Sequence, residues 1–154
     1  MCSICDGQSY ADNFAQMRGR ISRYGWTIQG VEGEVDKEGV HQSFAYTVGF
    51  TRHGLPEILL TGRNFDEASA VLNELGGAIR RGLRLAPETQ MTAGGFDLFL
   101  LPVVRTQDLL YSAHYLYGNR PISALQAVWA DPDGNFPWEQ RYPDDITQPM
   151  ACRP

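Results

Sequence analysis

Apolar residues recur at helical spacing in three stretches of the chain. Before the first stretch Ser9 can cap a helix, and Gly25 suits the position after its last turn. The second begins at Asn64 and ends near Gly82, and the third can begin at Thr106. The apolar positions of the three predicted helices are Tyr10, Phe14, Met17, Ile21 and Tyr24; Ala68, Val71, Leu72, Leu75 and Ile79; and Leu109, Leu110, Ala113 and Leu116.

Alternating or continuous apolar runs between these stretches predict about five strands. A turn at residues 36–39 joins the first two strands as a hairpin. Residues 83–95 are poorly patterned and are predicted to be mostly loop, with a short strand at the edge. The predicted strands are residues 26–35, 43–51, 56–61, 96–104 and 122–130.

The order of these elements predicts an α+β fold, with a mixed, mainly antiparallel sheet and three helices. The link from strand 43–51 to strand 56–61 is too short for the crossover that parallel neighbours require, which disfavours a doubly wound sheet. The 154 residues fit a single domain, 1–154, with one substantial core. Residues 1–8 are predicted to be an irregular lead and residues 139–154 an irregular tail.

Strand 43–51 has one bulky face and one nearly bare face. The bulky face carries Phe44, Tyr46, Val48 and Phe50, and the bare face carries Ser43, Ala45, Thr47, Gly49 and Thr51. A bare face lets another group approach the backbone closely, either a packed helix or a ligand. Small residues usually mark helix-on-sheet packing, whereas a cavity beside Thr47 and Gly49 would indicate a ligand pocket.

Charge and composition exclude some classes of partner. A net charge of −5 argues against non-specific nucleic-acid binding, which needs a basic stripe. No run approaches the ~20 apolar residues that span a bilayer. The first residues lack a secretory pattern, and three cysteines do not make a disulfide framework, so a cytoplasmic location is expected. The oligomeric state is not fixed by the sequence.

Two groups of arginines lie near the predicted helix ends. Such groups are usually solvated and favoured by the helix dipole, although a small anion site is an alternative. They comprise Arg18, Arg20 and Arg23, and Arg80, Arg81 and Arg84.

Cys2 and Cys5 have the spacing of metal ligands, and Cys152 lies at the far end of the chain. Zinc requires four ligands, and Asp6 or a histidine would have to complete the set. Inert terminal thiols and a redox motif are the other interpretations. Zinc is therefore a candidate cofactor, held by Cys2, Cys5 and Cys152.

Several polar residues lie within or next to apolar elements. Buried polar groups can satisfy one another, or they can converge on a small ligand with Trp26, Trp129 or Trp138 as an aromatic wall. Glu57 is the one plausible general base, and no nucleophile–base pair is evident, so enzymatic activity stays open. The candidate ligand-binding residues are Tyr46, Thr47, Gly49, Glu57, Asn73, Tyr117 and Gln126.

Many of these residues together resemble the DUF4262 family of bacterial and phage proteins, a domain of unknown function. The matching motifs are Cys2-x-x-Cys5-Asp6, Gly25-Trp26, residues 45–50 (Ala-Tyr-Thr-Val-Gly-Phe), Pro56-Glu57, Gly62, Leu72-Asn73, Tyr117-Gly118, Gln126, Asp131, Gly134 and Pro137-Trp138. Gly7-Gln8 stands where actinobacterial members often have His-Pro, which removes a possible metal ligand. The resemblance implies a single compact cytoplasmic domain and supplies no established activity.

Two functions follow as hypotheses. The first is a domain that binds a small ligand in a pocket beside strand 43–51. The alternative is a protein-interaction module without catalysis, of the immunity or phage–host accessory type. That module would expose an apolar patch, for which Phe136, Trp138 and Tyr142 are candidates.

Overall fold

The structure is a computed structural model and describes residues 10–36, 39–41 and 43–152. The helices are α1 (Tyr10–Tyr24), α2 (Phe65–Arg80) and α3 (Tyr111–Tyr117). The strands are β1 (Thr27–Val31), β2 (Glu34–Asp36), β3 (Gly39–His41), β4 (Phe44–Val48), β5 (Glu57–Thr61), β6 (Gln90–Ala93), β7 (Phe96–Pro102) and β8 (Ala124–Trp129). Within these described ranges, no helix is long and apolar enough to cross a membrane.

Six strands form one mixed sheet in the order β1-β4-β5-β8-β7-β6. β5 and β8 are parallel, and the other neighbours in the sheet are antiparallel. β2 and β3 form a separate ribbon between β1 and β4. The predicted α+β class is confirmed, because the sheet contains the five predicted strands and one short strand, and the predicted hairpin is the antiparallel pair of β1 and β4.

The two faces of the sheet have different covers. α2 covers one face, where its apolar stripe packs on Ala45, Ile58 and Leu60. α1 and α3 cover the opposite face, where they pack on Tyr46 and Leu59. This split follows the period-two alternation of strand side chains, so successive residues of β4 and β5 belong to different cores.

Strand β4 is shorter than predicted, because it ends at Val48. Gly49 follows with a φ of 146°, and Phe50–His53 form a 3₁₀ turn. The prediction that Phe50 shares a face with Tyr46 was therefore wrong. The break at Gly49 sends Phe50 into the core beneath α2 instead.

Other element ends also differ from the predictions. Helix α3 begins at Tyr111, because Thr106–Asp108 form a separate 3₁₀ turn and Leu109 has a non-helical φ of −129°. The predicted first strand divides into β1 and β2 around residues 32–33. The short strand expected near residues 83–95 is β6.

Two aromatic side chains lie on glycines where α2 meets β1. A Cβ atom on Gly30 of β1 would come within 2.5 Å of the Phe65 ring, which extends from α2. A Cβ atom on Gly76 of α2 would come within 2.6 Å of the Trp26 ring, which precedes β1. Each of the two rings therefore packs on a glycine of the other segment. Because glycine has no side chain, α2 and β1 can approach each other closely at these two points.

We expect Gly76→Ala to lower the free energy of unfolding by about 1–3 kcal/mol, because its methyl group displaces the Trp26 ring. Gly77→Ala is the matched control in the same helix. Its Cβ would meet only the mobile end of Arg81 at 3.3 Å, so higher helix propensity should raise stability by about 0.5–1 kcal/mol. Urea unfolding measures the free energy of unfolding of both variants. Equal changes in the two variants would contradict the packing of Trp26 on Gly76.

Candidate functional site

The Glu57 carboxylate is fully buried and accepts five hydrogen bonds. The backbone N–H groups of Gly49, Phe50 and Thr51 donate to it at 3.2, 3.3 and 2.8 Å. The hydroxyl groups of Thr47 and Thr51 donate at 2.9 and 2.6 Å. The donors all come from the end of β4 and the turn after it, so the carboxylate fixes that turn.

Burial and hydrogen bonding act on the Glu57 carboxyl in opposite directions. Burial raises the pKa of Glu57 above its ordinary value of 4.5, and the hydrogen bonds from Thr51, Thr47 and Gly49 oppose that rise. The Thr47 hydroxyl also accepts the Ile58 N–H at 2.9 Å. These interactions leave Thr47, Gly49 and Glu57 bonded to one another, and they support a structural role for the cluster.

The other candidate residues lie in separate places. The Tyr46 hydroxyl accepts the Ser112 N–H at 2.9 Å, which ties β4 to α3, and burial raises the pKa of Tyr46. Tyr117 is half-buried at the end of α3. Gln126 donates to the Pro149 carbonyl at 2.9 Å and accepts the Ala151 N–H at 2.8 Å. Gln126 therefore holds the carboxyl-terminal segment against the sheet.

The bare face of β4 is covered in the structure. Ala45 packs beneath α2 in the main core. At Gly49, a Cβ atom would come within 2.5 Å of the Gly25 carbonyl oxygen and 2.8 Å of the Trp26 Cα. Thr47 and Gly49 do not line either of two grooves on the surface of the described residues. Ligand binding by these residues stays a prediction.

One groove, of about 660 Å³, lies between the carboxyl-terminal segment and the loop after β7. Its lining is mainly apolar and includes Cys152, which is buried. Burial raises the pKa of the Cys152 thiol to about 11. Cys2 and Cys5 lie outside the described residues. Among the residues that are described, no three His, Cys, Asp or Glu side chains group as metal ligands, so the zinc assignment stays a prediction.

A second groove, of about 450 Å³, lies between α2 and β1. We call it the edge groove. Asn73, one of the candidate ligand-binding residues, and Trp26, one of the candidate aromatic walls, meet in it, with the indole Nε1–H donating to Asn73 Oδ1 at 3.1 Å. Its lining consists of Arg20, Tyr24, Trp26, Thr27, Ile28, Phe65, Ser69, Asn73 and Arg80.

The edge groove runs along the free side of the sheet. Its walls come from α1 and α2, which cover opposite faces, and from consecutive residues of β1 between them. β1 pairs only with β4 among the described strands. A groove lined by both helical layers and by the start of the outermost strand lies at the outer edge of the sheet, beside Thr27 and Ile28.

One end of the edge groove is basic. Arg20 and Tyr24 lie one turn apart on α1, and Arg80 Nη1 donates to the Tyr24 carbonyl at 3.0 Å. The described part of the lining contains no Asp or Glu. The structure therefore brings together one arginine from each of the two groups that the sequence shows. Sequence spacing alone could not pair them, because they are sixty residues apart.

Ser69 and Phe65 lie toward the other end of the edge groove, on the same stripe of α2 as Asn73. The Ser69 hydroxyl is buried and has no hydrogen-bond partner among the described residues. Phe65 is 52% exposed, although its ring lies on Gly30. This end therefore combines an exposed aromatic surface with an unused polar group.

The three aromatic residues considered for an exposed patch differ in exposure. Phe136 is buried, Tyr142 is half-buried, and Trp138 is 43% exposed. The Phe136 and Trp138 rings stack with centroids 5.2 Å apart, and both meet Phe99 edge-on. Of the three residues considered for an exposed patch, Trp138 alone is largely exposed.

The chain matches the model of a known protein family. The family model described as "Domain of unknown function (DUF4262)" matches residues 20–143. Neither the curated proteins nor the solved structures give a match to the chain. The matched range contains the Glu57 cluster and the whole lining of the edge groove.

We expect Glu57→Gln to lower the free energy of unfolding by about 3 kcal/mol, because its amide NH₂ would face N–H and O–H donors. Thr51→Val should cost about 1–2 kcal/mol in the wild type and less beside Glu57→Gln, since the hydroxyl then loses its charged acceptor. Urea unfolding of this double-mutant cycle measures the coupling. Thr147→Val, at an exposed threonine, is the control and should change stability by less than about 0.5 kcal/mol.

The stability difference between wild type and Glu57→Gln should also depend on pH. Because burial raises the pKa of Glu57, its stabilising contribution is complete below about pH 4.5 and declines as the pH rises through the folded-state pKa. The stability difference between wild type and Glu57→Gln should therefore narrow as the pH rises from 4.5 to 8. A difference that widens over this range would show that the hydrogen bonds outweigh burial.

Cys152 should resist alkylation in the folded protein. With a pKa of about 11, its thiolate fraction at pH 8 is about 100-fold lower than that of a thiol with the ordinary value of 9.0. Peptide mapping after iodoacetamide treatment measures modification at Cys152 alone. Unfolding in urea should restore ordinary reactivity, and rapid labelling of the folded chain would contradict the burial of this thiol.

Proposed function

The chain belongs to the DUF4262 family, a domain of unknown function, and we propose that it is a ligand-binding domain whose site is the edge groove. The ligand carries an anionic group that Arg20 and Arg80 hold. The observation that carries this proposal is the convergence of two arginines, from opposite helical layers, on a groove whose described lining has no acidic residue.

The two arginines have hydrogen-bonding capacity to spare. Arg80 uses one N–H on the Tyr24 carbonyl, and a guanidinium has five donors. Arg20 is exposed and makes no hydrogen bond or ion pair with any described residue. Planar guanidinium groups bind carboxylates and phosphates in pairs of hydrogen bonds, so this end of the groove suits such an anion.

The rest of the groove supports binding of a ligand with an apolar body. Trp26, Ile28 and Phe65 provide apolar wall, and Asn73 provides a polar group between the basic end and Phe65. Binding sites commonly combine apolar walls with a few oriented polar groups. Compared with the sequence-based hypothesis, the proposed pocket moves from the bare face of β4 to the outer edge of its neighbour β1.

N-acetyl-aspartate is a suitable minimal probe, with N-acetyl-asparagine as its less charged analogue. We expect the acid to shift the indole N–H resonance of Trp26 in ¹H–¹⁵N spectra, with a Kd of about 1 mM or weaker because the arginines are exposed. Trp26→Phe assigns the resonance. The asparagine analogue should shift it less at equal concentration.

Charge reversal tests which residues hold the anion. Arg20→Glu with Arg80→Glu should abolish the shift, whereas Arg18→Glu, an exposed change two residues away on the same helix, should preserve it. Thermal unfolding checks that both variants are folded. Equal shifts by acid and amide, or an undiminished shift in the double variant, would refute the proposed site.

A further inference from the structure

The lining of the edge groove extends along most of α2. The residues of α2 that line it extend from Phe65 to Arg80, about 22 Å along the helix at 1.5 Å per residue. About six residues of extended peptide cover this distance at 3.3 Å per residue.

The groove includes backbone of β1 that no described strand pairs on its outer side. β1 bonds to β4 on one side, so alternate residues of β1 direct their N–H and C=O groups away from the sheet. The strand sequence Thr-Ile-Gln-Gly-Val has no charged residue and no proline, the features that commonly protect exposed edges. An added strand would satisfy these backbone groups.

The position of the arginines fixes where the acidic end of such a strand would lie. Gly30, near the end of β1, lies beneath Phe65, and Trp26, just before β1, lies against Gly76. The arginines are therefore at the amino-terminal end of β1. A strand antiparallel to β1 would bring its carboxyl-terminal end to Arg20 and Arg80.

We propose that the ligand of the edge groove is an extended peptide segment of about six residues that adds to β1 as an antiparallel strand, with acidic residues at its carboxyl-terminal end. This inference rests on the proposed function and names the partner of the same site. The arginines hold the acidic end, and a side chain at the opposite end packs on the exposed face of Phe65.

The first experiment selects from a library of random hexapeptides, each immobilised through its amino terminus, on the purified full chain. We expect Asp and Glu to be enriched in the last two positions. The double variant Arg20→Glu with Arg80→Glu should lose this enrichment, and Arg18→Glu should keep it. Selection without acidic enrichment, or with the same enrichment in the double variant, would overturn the inference.

The second experiment uses the best selected hexapeptide in solution, measured by fluorescence anisotropy. A peptide of the same composition in reversed order should bind about tenfold more weakly, because its acids lie far from the arginines. N-methylation of successive peptide amides should weaken binding about tenfold at alternate positions only, as strand addition requires. Equal binding of the reversed peptide, or a uniform effect of N-methylation, would overturn strand addition.

The two proposals fail separately. If N-acetyl-aspartate shifts Trp26 but the library yields no acidic hexapeptide, the groove binds small acids, and the peptide inference is wrong while the ligand-binding function stands. If neither probe binds, both proposals are wrong.

Discussion

The buried carboxylate of Glu57 is the interaction on which this end of the structure depends. A single charged group from the start of β5 holds three successive backbone N–H groups beyond β4 and two threonine hydroxyls. An unpaired buried carboxylate would be costly, so these donors have to converge on it. Their convergence ends the strand at Val48 and folds the next residues into a tight turn.

The turn after β4 also positions one wall of the edge groove. Phe50 leaves the turn into the core beneath α2, where its ring stacks on Trp26 at 5.9 Å between centroids. Gly49 packs directly against the Trp26 backbone. Trp26 therefore contacts the turn through Gly49 and Phe50, and it contacts α2 through Gly76. Its indole N–H donates to Asn73. A structural carboxylate and a surface groove are linked by one chain of contacts.

The candidate site was only partly predictable, because residues that look alike in sequence have different neighbours in space. Glu57 and Gln126 are both polar residues in apolar strands, yet one closes a turn and the other anchors the tail. Asn73 lies in a groove because α2 packs against β1 as well as β4, and Asn73 is on the side of the helix toward β1. The pairing of Arg20 with Arg80 depends on where two helices end in space, and no local pattern contains that information.

The amino-acid sequence by itself determined the helices, most strands, the α+β class and the hairpin of β1 with β4, because hydrophobic periodicity and turn residues act over a few neighbours. It also marked the small residues of β4 as a place of close approach. Only the tertiary structure decided that α2 and Trp26 fill that place and that the open space lies along β1. Which surfaces are covered depends on packing between elements distant in the chain. That packing is determined only by how the helices lie on the assembled sheet.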